Sequence, residues 1–225
     1  MDGRVVAVTG GHGVLGRAVV EAALARGWRV AVIDHAMGHS APDGALEIGG
    51  VDLTDPAQAD AAVGRVVERF GRLDAVLNIA GGFVWQTADD AAPAWERMFA
   101  LNLSTALHAS RAALPHLKAS DAGRIVNVGS AAALKAGAGM GAYGASKAAV
   151  HALTQSLAEE LKTTAVNVNA VLPSIIDTPA NRADMPDADP AQWVAPADLA
   201  AVILFLASPE SRAMTGALVP VTGRV

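Results

Sequence analysis

Short apolar runs alternate with longer amphipathic segments along the whole chain. Val5 to Val8 is a β-branched run bounded by glycine and predicts a buried strand. Val14 to Arg26 has helical spacing, with Leu15, Val19, Ala22 and Ala23 on one face and Gly27 ending it. Arg29 to Ile33 and Leu46 to Val51 predict a second and a third strand, each closed by an aspartate. Pro56 sits near the start of a helix that runs to Phe70 before Gly71, and Ala75 to Ile79 follows as a fourth strand. Pro93 opens a long helix to about His116, whose last turn Pro115 should distort. Arg124 to Val128, Val166 to Leu172 and Leu218 to Val221 are the remaining strands. Gly141 to Lys162 and Ala197 to Ala207 are the remaining helices.

Strands separated by helical segments require crossovers, and crossovers build a parallel sheet covered on both faces. The expected fold is therefore α/β: a Rossmann-type, doubly wound parallel sheet in three layers, one domain over residues 1–225. No repeat, low-complexity tract or linker interrupts it. The least patterned stretch, Asp177 to Pro196, is a candidate substrate-covering loop. Ligands of such sheets bind beyond the carboxyl ends of the strands. The polar residues that break the periodicity fall there: Gly10 to Gly16, Asp34, Asp52, Asn78 to Gly82, Ser130 and Pro173 to Thr178.

Composition narrows the chemistry. With 0 cysteines, disulfides, thiolate metal sites and cysteine nucleophiles are excluded. A net charge of −5 and no visible basic patch argue against nucleic acid. No export signal precedes the first strand, and the longest strongly apolar run, Leu199 to Ala207, is too short to span a bilayer. The expectation is a soluble, cytoplasmic protein with no membrane partner.

Gly11, Gly13 and Gly16 form G-x-G-x-x-G between the first strand and the first helix. Glycines there permit a tight turn and close backbone approach to a pyrophosphate at a positive helix N-terminus. The motif alone could be a plain glycine-rich turn; its place between strand and helix is what gives it weight. Asp34 closes the second strand, about 20 residues further on, where a carboxylate accepts ribose hydroxyls and repels a 2′-phosphate. It could also cap the next turn, but as a ribose ligand it favours NAD(H) over NADP(H). His35 and His39 have i, i+4 spacing with no third ligand evident, so no metal site is expected.

Tyr143 is the only tyrosine, and Lys147 lies four residues on, on the same helical face. A nearby ammonium lowers a phenol pKa toward the working range and makes an acid/base for a carbonyl or alcohol. Spacing alone would favour the plainer reading, an ordinary exposed helical Tyr and Lys.

The set Thr9-Gly10-x-x-Gly13-x-x-Gly16, Asp52-Leu53-Thr54, Asn78-Ile79-Ala80-Gly81, Asn102, Ser130, Tyr143-x-x-x-Lys147 and Pro173 with Thr178-Pro179 resembles the short-chain dehydrogenases/reductases from end to end. The resemblance implies a catalytic set of Asn102, Ser130, Tyr143 and Lys147. Tyr143 would transfer the proton. Lys147 would hold the nicotinamide ribose and lower the Tyr143 pKa. Ser130 would bind the reacting oxygen, and Asn102 would anchor a water of the proton relay. It implies cofactor contacts from Gly10, Gly11, His12, Gly13, Val14, Leu15, Gly16, Asp34, Asp52, Leu53, Asn78, Ala80, Gly81, Tyr143, Lys147, Pro173, Ile175, Ile176 and Thr178, with Asp52 meeting the adenine. Plainer roles remain open: Ser130 as a turn cap, Asn102 as a buried polar residue at a helix bend, Asn78 as a brace of the sheet edge. Two positions depart from the common pattern: Val14 and Ser174 stand where many members have glycine.

Gly10 to Gly16, Ala80-Gly81-Gly82 and Leu172 to Arg182, with Met185 to Asp189 and Trp193, are also similar to dihydropteridine reductases. Those generally lack the serine found here at position 130. The first expectation is thus an NAD(H)-dependent oxidoreductase acting on a small carbonyl or alcohol. The second is a quinonoid pterin reductase whose substrate stacks near Phe83, Trp85 or Trp193. The third is a non-catalytic dinucleotide sensor. Ala131 to Leu134, Phe83, Trp85, Ile175 and Ile176 point to a mostly apolar substrate pocket. Val150, Leu153, Leu157 and Leu161 form a core stripe, and Ala148, Ala152 and Gln155 a second face of the same helix. A homodimer or homotetramer is expected.

Overall fold

The computed structural model describes residues 3–89 and 93–225. Its strands are Val5–Thr9 (β1), Arg29–Ile33 (β2), Leu46–Ile48 (β3), Ala75–Asn78 (β4), Arg124–Val128 (β5), Asn167–Pro173 (β6) and Leu218–Val221 (β7). They pair in parallel in the order β3-β2-β1-β4-β5-β6-β7. The order reverses between β1 and β4, so the chain winds outward in both directions from that junction and leaves a crevice above it.

The helices are Val14–Ala25 (α1), Pro56–Phe70 (α2), Pro93–Phe99 (α3), Thr105–Lys118 (α4), Gly141–Glu160 (α5), Pro179–Asp184 (α6) and Pro196–Leu206 (α7). They cover both faces of the sheet. Alternate strand residues point to opposite faces. Val5 and Ala7 of β1 join Val63, Val66, Ala113, Leu117 and Leu157 in one core beneath α2, α4 and α5. Val6 and Val8 join Leu15, Val19, Leu199 and Ile203 in the other, beneath α1 and α7. Each fully buried Val, Ile or Leu contributes roughly 1.5–3 kcal/mol, and both faces of β1 are sealed, which is why its sequence is apolar without alternation.

Local signals set the helix ends. Asp55 caps α2 by accepting the Ala57 N–H at 2.8 Å, Pro56 fills the first helical position, and Gly71 ends the helix at φ +78°. The start of α1 has no such cap: Gly13 offers no side chain to the helix's first N–H groups.

The long helix expected from Pro93 is not continuous. A π-helical turn, Ala100–Ser104, separates α3 from α4. The helix then passes through Pro115 and ends at Lys118, beyond the expected His116. The third strand stops at Ile48 rather than Val51, because Gly50, at φ +74°, turns the chain away. The Asp177 to Pro196 stretch holds α6, a 3-10 turn at Pro190–Gln192 and a parallel bridge from Ile176 to Val194. No helix among the described residues is long and apolar enough to cross a membrane.

Candidate active site

A cleft of about 770 Å³ opens at the carboxyl ends of the strands, over the β1–β4 junction. Its walls include Gly10, Gly13, Val14, Leu15, Gly16, Asp34, Asp52, Leu53, Ala80, Gly81, Ile176 and Thr178 of the expected cofactor residues. It also includes Thr105 and Leu101, which carry no sequence signal.

The Gly-rich turn is shaped by close contacts. Gly10 has φ +65°, and a Cβ there would lie 2.8 Å from Ala80 Cα. A Cβ on Gly16 would lie 2.1 Å from the Gly10 carbonyl oxygen, so α1 could not approach the turn. At Gly13 the nearest atom to a Cβ would be the Gly10 carbonyl oxygen at 3.4 Å, and a side chain there would occupy the cleft. The uncapped N–H groups of α1 are thus left open to an anion. Thr9 ties the floor together: its Oγ1 accepts the N–H groups of Ile79 and Ala80, both at 3.1 Å.

Asp34 stands at the end of β2 with Oδ2 accepting the His12 N–H at 3.0 Å and Oδ1 accepting the Ala36 N–H at 2.9 Å. The same carboxylate that faces the cleft therefore also holds the Gly-rich turn in place. Asp52 accepts from Thr54 Oγ1 at 2.6 Å and from the Thr54 N–H at 2.9 Å, and these bonds hold its carboxyl below the usual range.

Other expected contacts lie behind the cleft wall. Gly11 packs against Val32, where a Cβ would meet Cγ1 at 2.7 Å. His12 turns its ring away to Glu47, with Nε2 and Oε1 3.0 Å apart. Asn78 is buried and donates to Ser110 Oγ at 2.9 Å and Asn127 Oδ1 at 2.8 Å, bracing β4 against β5 and α4. Pro173 is buried at the end of β6, and the Ile175 carbonyl accepts the Val194 N–H. Ser174 staples β6 to β7 by donating its hydroxyl to the Thr222 carbonyl at 2.7 Å.

Tyr143, Lys147, Ser130 and Asn102 come together beside this cleft, from three separate elements. Ser130 follows β5 and is hydrogen-bonded to Tyr143 in the first turn of α5. Its Oγ also accepts the Ala132 N–H at 3.1 Å, so it is a turn cap as well. Lys147 is buried and donates to the Val128 carbonyl at 2.7 Å. Asn102 sits in the π turn, which aims it at the β4–α3 loop. Its Oδ1 accepts the Gly82 N–H at 2.9 Å, and its Nδ2 donates to the Gly82 carbonyl at 3.1 Å and to Ser146 Oγ at 2.9 Å. A Cβ on Gly81 would lie 2.6 Å from Asn102 Oδ1 and 3.5 Å from Lys147 Nζ, so glycine is what lets all three meet.

The electrostatics correct one expectation. Tyr143 lies above, not below, the ordinary phenol value, because burial raises it more than the Ser130 hydrogen bond lowers it. Lys147 is itself brought down to about 8 by burial, and its Nζ is 6.0 Å from the Tyr143 ring centroid. Proximity along the helix does not outweigh the loss of water.

Phe83, Trp85 and Leu134 are exposed at 50, 60 and 67 %. Phe83 meets the Tyr143 ring edge-on, 5.0 Å between centroids, and Trp85 lies over Gly139, where a Cβ would be 2.2 Å from its indole. Trp193, by contrast, is 6 % exposed, so it packs in the fold and offers no face to a substrate. Among the described residues no group of three or more His, Asp or Glu could hold a metal ion.

The model of the family described as short chain dehydrogenase matches residues 4–189. The chain is 32 % identical to the 2-(S)-hydroxypropyl-CoM dehydrogenase 3 of Xanthobacter autotrophicus, covering 99 % of this chain and 96 % of the relative. It is 32 % identical to the sorbitol dehydrogenase of Cereibacter sphaeroides, over 94 % and 93 %. The ligand-free aldohexose dehydrogenase of Thermoplasma acidophilum superposes with a TM-score of 0.88 at 27 % identity, over 98 % and 93 % of the two chains. Sheet order, Gly-rich turn and the meeting of Ser130, Tyr143 and Lys147 agree with these likenesses: the chain is an oxidoreductase of the short-chain dehydrogenase/reductase family, which works on hydroxyl and carbonyl groups with nicotinamide cofactors.

Proposed function

We propose that the protein moves a hydride between NAD(H) and a small carbonyl or alcohol substrate, with Tyr143 as the proton-transfer residue. The observation that carries this is the convergence of Ser130, Tyr143 and Lys147 at the end of β5, beside a cleft with a glycine-lined helix N-terminus. The cleft fits a dinucleotide: the start of α1 has no cap, the position of a Gly13 side chain is open cleft, and Asp34 reaches it from β2. A bound nicotinamide would supply or accept the hydride. Gly10 to Gly16 would hold its diphosphate and Asp34 its adenosine ribose, which favours NAD(H) because a 2′-phosphate would meet a like charge.

Tyr143 gives its proton to the carbonyl oxygen during reduction and takes it back during oxidation. Its raised pKa keeps it protonated at neutral pH, which suits the reductive direction. Ser130 steadies the same oxygen by donating its hydroxyl proton, since Ala132 uses only a lone pair. Lys147, with one N–H held by the Val128 carbonyl, would offer its remaining N–H groups to the nicotinamide ribose. Asn102 keeps the Gly81–Gly82 backbone at the right height.

The presence of Ser130 favours a carbonyl or hydroxyl substrate over a pterin, and burial of Trp193 leaves Phe83 and Trp85 as the rings on which a pterin could stack. The apolar rim of Phe83, Trp85 and Leu134 supports a weakly polar substrate. We read the protein as cytoplasmic and homo-oligomeric. The test is a panel of ketones, quinones and quinonoid dihydropterin, followed by NADH absorbance. Tyr143→Phe should lower turnover by at least about 10²-fold while NADH binding persists. Near-full activity in that variant would end the Tyr–Lys reading, and tight NADH binding with no turnover on any compound would favour a sensor.

A further inference from the structure

The chain between β5 and the Ser130 hydroxyl is held by side chains of α5. Asn127 Nδ2 donates to Thr154 Oγ1 at 2.9 Å, the Val128 carbonyl accepts from Lys147, and the Ser130 N–H donates to His151 Nε2 at 3.3 Å. The ladder with β6 ends near here: Val128 is the last β5 residue in register with it, and the Gly129 N–H still reaches the Val171 carbonyl at 2.9 Å. His151 takes over at the next residue, where the strand has run out.

We propose that His151 is a positioning residue for Ser130, fixing the serine hydroxyl beside Tyr143 by accepting the Ser130 backbone N–H. Three observations support this. The ring is buried, 6 % exposed, one helical turn beyond Lys147 on the face that also carries Tyr143. Residue 129 is a glycine, and a Cβ there would stand 2.4 Å from His151 Nε2 and 2.7 Å from Cδ2, so any side chain would push the imidazole off its partner. Because a backbone N–H can only donate, Nε2 must be unprotonated and the ring neutral, with its proton on Nδ1. Burial and the neighbouring Lys147 charge favour that neutral form. The Oγ of Ser130 is already fixed on its other side by the Ala132 N–H, so the two contacts together define where the hydroxyl stands.

The inference rests on the reading that Ser130 and Tyr143 handle the reacting oxygen. The experiment is a double-mutant cycle with a carbonyl substrate from the panel above. His151→Leu should lower kcat roughly tenfold or more, the scale of a misplaced catalytic group, with NADH affinity kept within about twofold. His151→Gln, whose amide oxygen can accept the same N–H, should recover most of the loss. In a Ser130→Ala background His151→Leu should cost less than about twofold, because its target is gone. Equal losses in both backgrounds, or no advantage of Gln over Leu, would overturn the inference and leave His151 a packing residue. Full turnover in Ser130→Ala alone would overturn the Ser130 assignment and the inference with it. Nitrogen NMR of the unmodified protein gives a reading independent of any variant's folding: His151 is expected as the Nδ1–H tautomer, and the Nε2–H tautomer would overturn the proposal.

Discussion

Lys147 gives its hydrogen bond to the Val128 carbonyl at 2.7 Å, while its Nζ stands 6.0 Å from the centroid of the Tyr143 ring. The ammonium is thus fastened to the end of β5, two residues before Ser130, and reaches Tyr143 only at longer range. One buried cation links the strand that presents the serine to the helix that presents the tyrosine.

Burying that charge destabilises the fold. The shift of Lys147 from 10.5 to about 8 corresponds to a penalty on the order of 3 kcal/mol. The penalty is fully present below pH 8, where folded and unfolded chains both hold the proton. It is relieved as the pH rises from about 8 toward 10.5, because only the unfolded chain then keeps it. Lys147→Met should therefore be more stable than the parent at pH 7, by about 1–3 kcal/mol once the lost Val128 contact is deducted, and inactive. Urea denaturation should show the gap closing toward pH 10. A gap independent of pH would mean the ammonium is not desolvated as described.

Ser130→Ala removes a hydroxyl with two duties. Turnover should fall by about 10²-fold, as for loss of one donor to a developing oxyanion. Stability should drop by about 1 kcal/mol through the lost cap on Ala132. NADH affinity, read by fluorescence titration, should stay nearly unchanged. Unchanged turnover would revive the pterin reading, since the similar pterin reductases manage without this serine.

Asp34→Asn keeps the shape and removes the charge. The ratio of kcat/KM for NADH over NADPH should shrink by roughly tenfold or more, because the like-charge clash with a 2′-phosphate disappears. The amide can present only one oxygen to the His12 and Ala36 N–H groups, so NADH itself should also bind less tightly. Equal use of both cofactors by the unmodified protein would refute the role given to Asp34.

On α5, Ala148, Ala152 and Gln155 are exposed, whereas Val150 and Leu157 are buried, Leu153 is half-buried, and Leu161 is buried just past the helix end. Leu107 on α4 is 39 % exposed. Small exposed residues permit close approach of a second helix, and we expect a homodimer or homotetramer built on this surface. Light scattering should return a multiple of 22.8 kDa. Ala152→Arg should shift the mass downward with the circular dichroism unchanged. A monomeric mass for the unmodified protein at micromolar concentration would refute the assembly.

Much of the fold can be read before any coordinates, for identifiable reasons. Strands sealed on both faces are continuous β-branched runs, so β1 and β2 stand out, and Asp55, Pro56 and Gly71 mark both ends of α2. The π turn leaves no such trace. Its apolar spacing resembles that of an α-helix, and the partners that explain it, Gly82 and Ser146, are 20 and 44 residues from Asn102. His151 is silent for the same reason, its partner being 21 residues away. The Tyr143–Lys147 spacing was legible, but the direction of the Tyr143 shift was not, because i, i+4 spacing records nearness and not burial.

The π turn at Ala100–Ser104 makes the residue count of this helix part of the active site. A π turn is an α-helix carrying one residue more than its hydrogen-bonding pattern needs, and it persists only where something else holds it. Here the holder is Asn102, through its bonds to Gly82 and Ser146. Deleting Leu103 would let the helix relax to regular winding and would improve it as a helix. Because the bulge absorbs its extra residue locally, the helical segments on either side would keep their faces, and the loss would be confined to the turn itself. Asn102 would face the wrong way, and the Gly81–Gly82 backbone would lose its support. The irregularity therefore acts as a length gauge: the segment accepts substitutions far more readily than it accepts a change in its number of residues.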